Sequence, residues 1–319
     1  MLNFFNYEAI EPKYYEGLVL IERNRESPDP VIKQIESINI DGVLKKNIVL
    51  SDTKKFLINF GPSFYHFIID ELPKIIYWSK QYKHDVQFLI SMDCLITELK
   101  NHNLAIFILQ YLNSNKIDYR IIDLDDTQTI TNNLLYSSAP TLLHYEYLLE
   151  VINLYEHERR GLEESHASKK VYLSRKKVVP KGDIGTFGEK PKDIFDFEDD
   201  VRMKEEDFLE SFLLSKGFII VYPEDFKSFK DQVLFFHDVK TLISSTSAGL
   251  INMLWMQPGG NVVELTTPLI ASGKQDIHAF YHSFAYVKDH TYISIANERD
   301  SAKIVNQFNH NPILLEVVK

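Results

Sequence analysis

The chain has 319 residues, 35 Lys and Arg against 45 Asp and Glu, a net charge of −10, and one cysteine. Hydrophobic residues at 45% and charged residues at 25% give the balance of a folded protein, and the length suits two domains of roughly 150 residues each. The acidic surplus excludes a general nucleic-acid footprint, which needs clustered Lys and Arg, and the lone Cys94 excludes an intramolecular disulfide and reads as a small buried hydrophobe.

Along the chain, the first fifty residues carry strand-like pieces at 17–21 and 47–50 and read as a lead-in segment rather than a domain. No basic stretch followed by an apolar one opens the sequence, so no signal peptide is expected. The longest apolar runs, such as 104–112, fall short of the about 20 residues a spanning helix needs. The expected localisation is therefore cytoplasmic, with room for peripheral contact at the inner face of the plasma membrane. A strand at 55–59 leads into Phe60-Gly61-Pro62-Ser63, where Pro62 or Ser63 can open a helix. Residues 65–80 then place Phe67, Ile68, Leu72, Ile75 and Ile76 at helical spacing. Strands follow at 86–91, 119–124 and 134–137, with a helix at 104–112. This alternation predicts an α/β layer with a mostly parallel sheet. A charged helix over 145–164, ending near Gly161, marks the boundary between domains 1–164 and 165–319.

The second half repeats the grammar. Strands are expected at 170–174, 218–222, 241–245 and 261–265. Helices are expected at 204–216, stopping at Gly217 as a C′ residue, at 229–237, and at 248–256, ended by Pro258-Gly259-Gly260. Residues 181–200 read as a loop. The βαβαβ order predicts a Rossmann-like, nucleotide-binding half. Its most informative stretch is a strand running into the small-residue turn Ser244-Ser245-Thr246-Ser247-Ala248-Gly249. The first N–H groups of a helix there, with small side chains around them, let a pyrophosphate approach the backbone. Glu264, ending the next strand, can accept two hydrogen bonds from a ribose diol. The basic run Lys169, Lys170, Arg175, Lys176, Lys177 and Lys181 is either a solvated surface or part of a pocket for a small phosphorylated ligand.

These residues carry a resemblance. Thr246-Ser247-Ala248-Gly249-Leu250-Ile251-Asn252, then Met253 to Gly259, then Val262-Val263-Glu264-Leu265 resemble the C-terminal signature of glycosyltransferase family 61: HGAGLTN, a few apolar residues, PPG, and V-[IV]-E-[LI]. Glu205-Glu206-Asp207-Phe208-Leu209, Gly217-Phe218, Tyr222-Pro223-Glu224 and Asp231-Gln232-Val233 follow the family order. Tyr172-Leu173-Ser174-Arg175 is similar to its Y-I-S-R, and Tyr65 to Pro73 (YHFIIDELP) to its H-[FW]-L-x-[DE]-x-L-P. The family's His and first Gly of HGAG are Thr246 and Ser247 here, so no imidazolium can stand at that corner, and its Asn-Glu is Lys204-Glu205.

The resemblance implies a GT-B-like fold of two Rossmann-like domains, with an acceptor and catalytic-base domain first and a nucleotide-sugar-binding domain second. It implies an inverting, metal-independent glycosyltransferase with no cofactor and a nucleotide-sugar co-substrate, expected to be a UDP-sugar. The expected acceptor is a glycan or lipid-linked oligosaccharide in surface polysaccharide (capsule or lipopolysaccharide) biosynthesis. Such a transfer needs a base for the acceptor proton and donors for the leaving diphosphate. His66 or Asp70, four apart on one helix, is expected to be the base, the other orienting it, with Glu71 beside them. Arg175, Lys177, Thr246, Ser247, Ala248, Gly249, Asn252 and Glu264 are expected to bind the donor.

Two other readings compete. Asp123 and Asp125 form a D-x-D that could hold a divalent metal in a GT-A-type transferase, although Asp at a strand end commonly makes a turn. The chain could also be a non-catalytic glycan- or nucleotide-binding subunit. The acidic run Asp196 to Asp200 reads as a loop, and His278, His282 and His290 lack the spacing of a compact metal set. Tyr281 and Phe284 could stack on a base, or fill the core.

Overall fold

The computed structural model describes residues 13–22, 31–35, 48–58, 67–83, 85–91, 109–110, 112–124, 129–136, 149, 152–153, 167–175, 206–266, 279–296 and 300–319, with the backbone alone at Phe67, Asp70, Glu224, Ala279 and Phe280. The chain is mixed α/β and divides into two compact units, Met1–His157 and Glu158–Lys319. Among the described residues no helix is long and apolar enough to cross a membrane.

Among the described residues the first unit holds seven strands: β1 (Lys13–Glu22), β2 (Val31–Gln34), β3 (Ile48–Val49), β4 (Lys54–Ile58), β5 (Val86–Ser91), β6 (Tyr119–Ile122) and β7 (Thr129–Tyr136), in the order β2-β1-β7-β4-β5-β6 with β3 paired to β7. The pairs β4–β5, β5–β6, β4–β7 and β3–β7 are parallel, whereas β1 runs antiparallel to both β7 and β2. Residues 13–22 and 31–34, expected as part of a lead-in segment, are thus strands of the sheet. Val19 and Ile21 alternate inward along β1 and are fully buried, and that apolar face pulls β1 and β2 into the sheet. Phe56, Leu57, Ile58, Phe88, Leu89 and Ile90 are buried without alternation, as strands covered on both faces must be.

The helix expected over 65–80 is shorter than its pattern. Helix α1 is Leu72–Tyr82, with Pro73 in its first turn, and the five residues before it, Phe67–Glu71, form a π turn. Pro73 has no N–H to give to the carbonyl four residues back, so regular α geometry starts around it and the preceding turn widens.

The second unit holds β8 (Lys169–Leu173), β9 (Ile219–Val221), β10 (Val239–Ser245), β11 (Asn261–Thr266) and β12 (Thr291–Ala296), all parallel, in the order β12-β11-β10-β8-β9. Counted within the unit this is second-first-third-fourth-fifth, a doubly wound sheet whose order reverses between β8 and β10. Helix α2 (Glu206–Ser215) ends as its glycine predicts. Gly217 sits at φ 78°, its N–H donates to Leu214 O at 2.9 Å, and Phe218 N–H donates to Leu213 O at 3.0 Å. That is a Schellman closure, sealed by the buried pair Phe218 and Leu213. Helix α3 is Phe229–His237, α4 is Ala279–Val287, α5 is Ser301–His310 and α6 is Pro312–Val318. Residues of α2, α5 and α6, among them Leu209, Leu213, Ile304 and Phe308, close a core on Tyr172, Ile243, Val263 and Leu265 of the sheet.

Candidate active site at the carboxyl ends of β8 and β10

A doubly wound sheet leaves a crevice where its strand order reverses, at the carboxyl ends of the strands. Here those ends are Leu173-Ser174-Arg175 and Ser244-Ser245-Thr246. Ser244 Oγ donates to Leu173 O at 3.1 Å, and the Arg175 guanidinium donates through Nη1 to Thr246 O at 3.4 Å. Two segments singled out separately in the sequence, the basic run and the small-residue turn, therefore meet at Arg175 and Thr246.

Thr246 is fixed on three sides. Its N–H donates to Leu265 O at 3.1 Å and its hydroxyl donates to Glu264 Oε1 at 2.6 Å, while its carbonyl takes the Arg175 contact. Glu264 is fully buried, and its other oxygen, Oε2, accepts from the Tyr292 hydroxyl on β12. Tyr281 on α4 donates its hydroxyl to Ser247 O at 2.7 Å. Burial, and then the Glu264 charge, raise the pKa of both tyrosines well above the usual phenol range, so both remain protonated donors. Tyr281 and Phe284 are buried, the core fate weighed in the sequence.

The helix expected at 248–256 is a 3-10 helix, Ala248–Trp255. Asn252 favours that tighter turn. Its Nδ2 donates to Gly249 O at 2.7 Å, the carbonyl an α-helix would offer to Met253, and its Oδ1 accepts from Gln232 of α3 at 2.7 Å. Asn252 is fully buried, so its side chain holds the turn from inside. From Leu250 to Trp255 the helix is buried, but Ser245 to Gly249 are only partly buried, so its first turn keeps some contact with solvent. Gly249 permits a close approach: a Cβ there would lie 2.4 Å from Leu173 Cδ2, so the buried Leu173 side chain would have to shift.

His290 braces the far end. Gly260 N–H donates to His290 Nδ1 at 3.1 Å, and Nε2 lies 2.9 Å from Met253 O. The ring is thus neutral, with its proton on Nε2. Burial, only partly opposed by the Met253 bond, lowers its pKa to about 4.

Two partners of the site were not evident in the sequence. Glu206, the first residue of α2, accepts at Oε1 from the Tyr172 hydroxyl at 2.9 Å, Ser174 Oγ at 2.8 Å and Arg175 N–H at 3.3 Å. It anchors the backbone from which Arg175 projects. The family pattern covered Glu206 by position, but nothing local marked its side chain as inward. Tyr292 lay outside every motif.

In the first unit Glu71 is buried at the end of the π turn, in an ion pair of 2.9 Å with the equally buried Lys74. His66, the Asp70 side chain, Lys177, Asp125, Cys94, His278 and Asp196 to Asp200 lie outside the described residues. Asp123 is exposed beyond β6, and among the described residues no group of three or more His, Cys, Asp or Glu could hold a metal ion.

The parallel sheet of the second unit, with a small-residue turn beside Arg175 at its switch point, is that of a doubly wound α/β protein. The family model described as Glycosyltransferase 61 matches residues 64–263, so the chain belongs to glycosyltransferase family 61 and is a glycosyltransferase. No curated protein matches the chain.

Proposed function

We propose that the chain is an inverting, metal-independent transferase of GT-B type that moves a sugar from a nucleotide-sugar to a surface-glycan acceptor, capsule or lipopolysaccharide. The observation that carries this is the Arg175–Thr246 corner at the switch point of the second unit, with the half-exposed turn Ser247-Ala248-Gly249 beside it. The donor diphosphate lies against those N–H groups and the Arg175 fork, with Lys177 assisting. His66 or Asp70 takes the acceptor proton as the acceptor oxygen attacks the anomeric carbon opposite the diphosphate. The glycosidic bond forms, the bond to the diphosphate breaks, and the charge on the leaving nucleotide is met by Arg175 and the turn. Glu71 lies next to Asp70 in the chain and supports the same region.

The test is a thermal-shift panel of UDP-, GDP-, CMP- and dTDP-sugars on the full chain. One donor, expected to be a UDP-sugar, should raise the melting temperature by mass action, and Arg175→Ala should abolish that shift. The same variant should lower kcat/KM about 10²- to 10³-fold, as loss of a preorganised donor does. A wild-type protein indifferent to every nucleotide-sugar defeats the reading.

A further inference from the structure

We propose that Thr246 meets the bound donor as a hydrogen-bond acceptor, reading one of its hydroxyl groups, and that Glu264 is the positioning residue that fixes this polarity. The inference rests on the donor site proposed above and assigns a specificity to one corner of it.

A threonine hydroxyl has one proton and two lone pairs. At Thr246 that proton goes to Glu264 Oε1 at 2.6 Å, and the only other donor of the residue, its N–H, goes to Leu265 O at 3.1 Å. Among the described residues nothing donates to Thr246 Oγ1, and the residue is half-exposed. What it turns to a ligand is therefore lone pairs. A phosphate oxygen brings only lone pairs of its own and is repelled there, whereas an O–H is accepted. Phosphate recognition then falls to Arg175 and the N–H groups of the turn, and Thr246 reads a hydroxyl of the ribose or of the transferred sugar.

The polarity is set from beneath. Glu264 is fully buried and has acceptor oxygens only; Tyr292 holds Oε2 as a donor, leaving Oε1 for the Thr246 proton. This removes Glu264 from direct ribose contact and makes it act through Thr246. A glutamine at 264 would reverse the arrangement. Its one oxygen would serve Tyr292, its NH₂ would face Thr246 and occupy a lone pair, and the threonine proton would be released toward the ligand.

The experiment is calorimetric titration of the full chain, wild type and the variants Thr246→Ser, Thr246→Val and Glu264→Gln, with UDP and GDP, their 2′- and 3′-deoxy counterparts, and UDP-glucose. Wild type and Thr246→Ser should prefer the hydroxylated ligand, and Thr246→Val should lose that preference, about three- to tenfold. A preference lost between UDP and a deoxy-UDP assigns the hydroxyl to ribose; one lost only between UDP-glucose and UDP assigns it to the sugar. Glu264→Gln should lose the preference while its melting temperature stays near that of wild type, a selectivity change that a purely structural role would not produce. Wild-type selectivity in Thr246→Val or in Glu264→Gln overturns the proposal while leaving the donor site standing. Absence of any nucleotide binding by wild type overturns the donor site and this inference together.

Discussion

Lys74 and Glu71 place two opposite charges where water does not reach, each below 3% exposed. Breaking such a pair strands a charge, while neutralising both partners does not. Lys74→Met should therefore cost about 3–5 kcal/mol in urea unfolding, and the double variant Glu71→Gln/Lys74→Met should recover much of it; equal loss in both would show that the charges are not coupled. His290 makes the opposite case, a basic group held neutral. Its folded pKa of about 4 lies below the ordinary 6.5, so between those values the unfolded chain binds a proton that the folded chain does not. The stability it contributes is complete above pH 6.5 and drains as pH falls toward 4, by about 3 kcal/mol at most. Urea midpoints measured from pH 7 to 4 should fall more steeply for wild type than for His290→Gln, and parallel curves would refute the assignment.

The elements that the sequence announced are those whose signal is local. Gly217 stopped α2 because a left-handed residue is needed there; Ser228, which caps α3 by accepting the Asp231 N–H at 3.0 Å, was not singled out in the sequence. The π turn and the 3-10 helix were not legible as such, because each reflects a single backbone bond diverted, by Pro73 in one and by the Asn252 side chain in the other. Apolar spacing cannot distinguish these from α-helix. The turn at Gly249 gives a sharp test at this scale. Gly249→Ala drives a methyl into Leu173, which immediately precedes Ser174 and Arg175, so nucleotide affinity should fall with little change in overall stability. Leu173→Val in the same chain should restore affinity by making room; if it does not, the close approach is not the reason for glycine.

At the scale of the whole chain, β–α alternation foretold the α/β class and mostly parallel sheets, but neither the antiparallel β1 and β2 nor the strand order. Nothing in the text of β8 or β10 says that they are neighbours; β9 is dealt outward by a crossover whose handedness and packing decide it. For the same reason Arg175, Thr246 and Glu264 were nominated one by one, while Glu206 and Tyr292, which hold them, come from distant parts of the sequence. The proposed metal independence is tested on the complete enzyme: turnover should persist in EDTA, and a loss reversed by manganese would favour the Asp123/Asp125 reading instead. The reversal of strand order also has a temporal consequence. Parallel neighbours separated by a crossover meet only after that loop has closed, a costly non-local step. Arg175 therefore waits for β10, and Thr246 waits for the Glu264 of β11, so during refolding the far-ultraviolet helical signal should return before nucleotide binding does, and a nascent chain must extend through β11 before the proposed donor site can form.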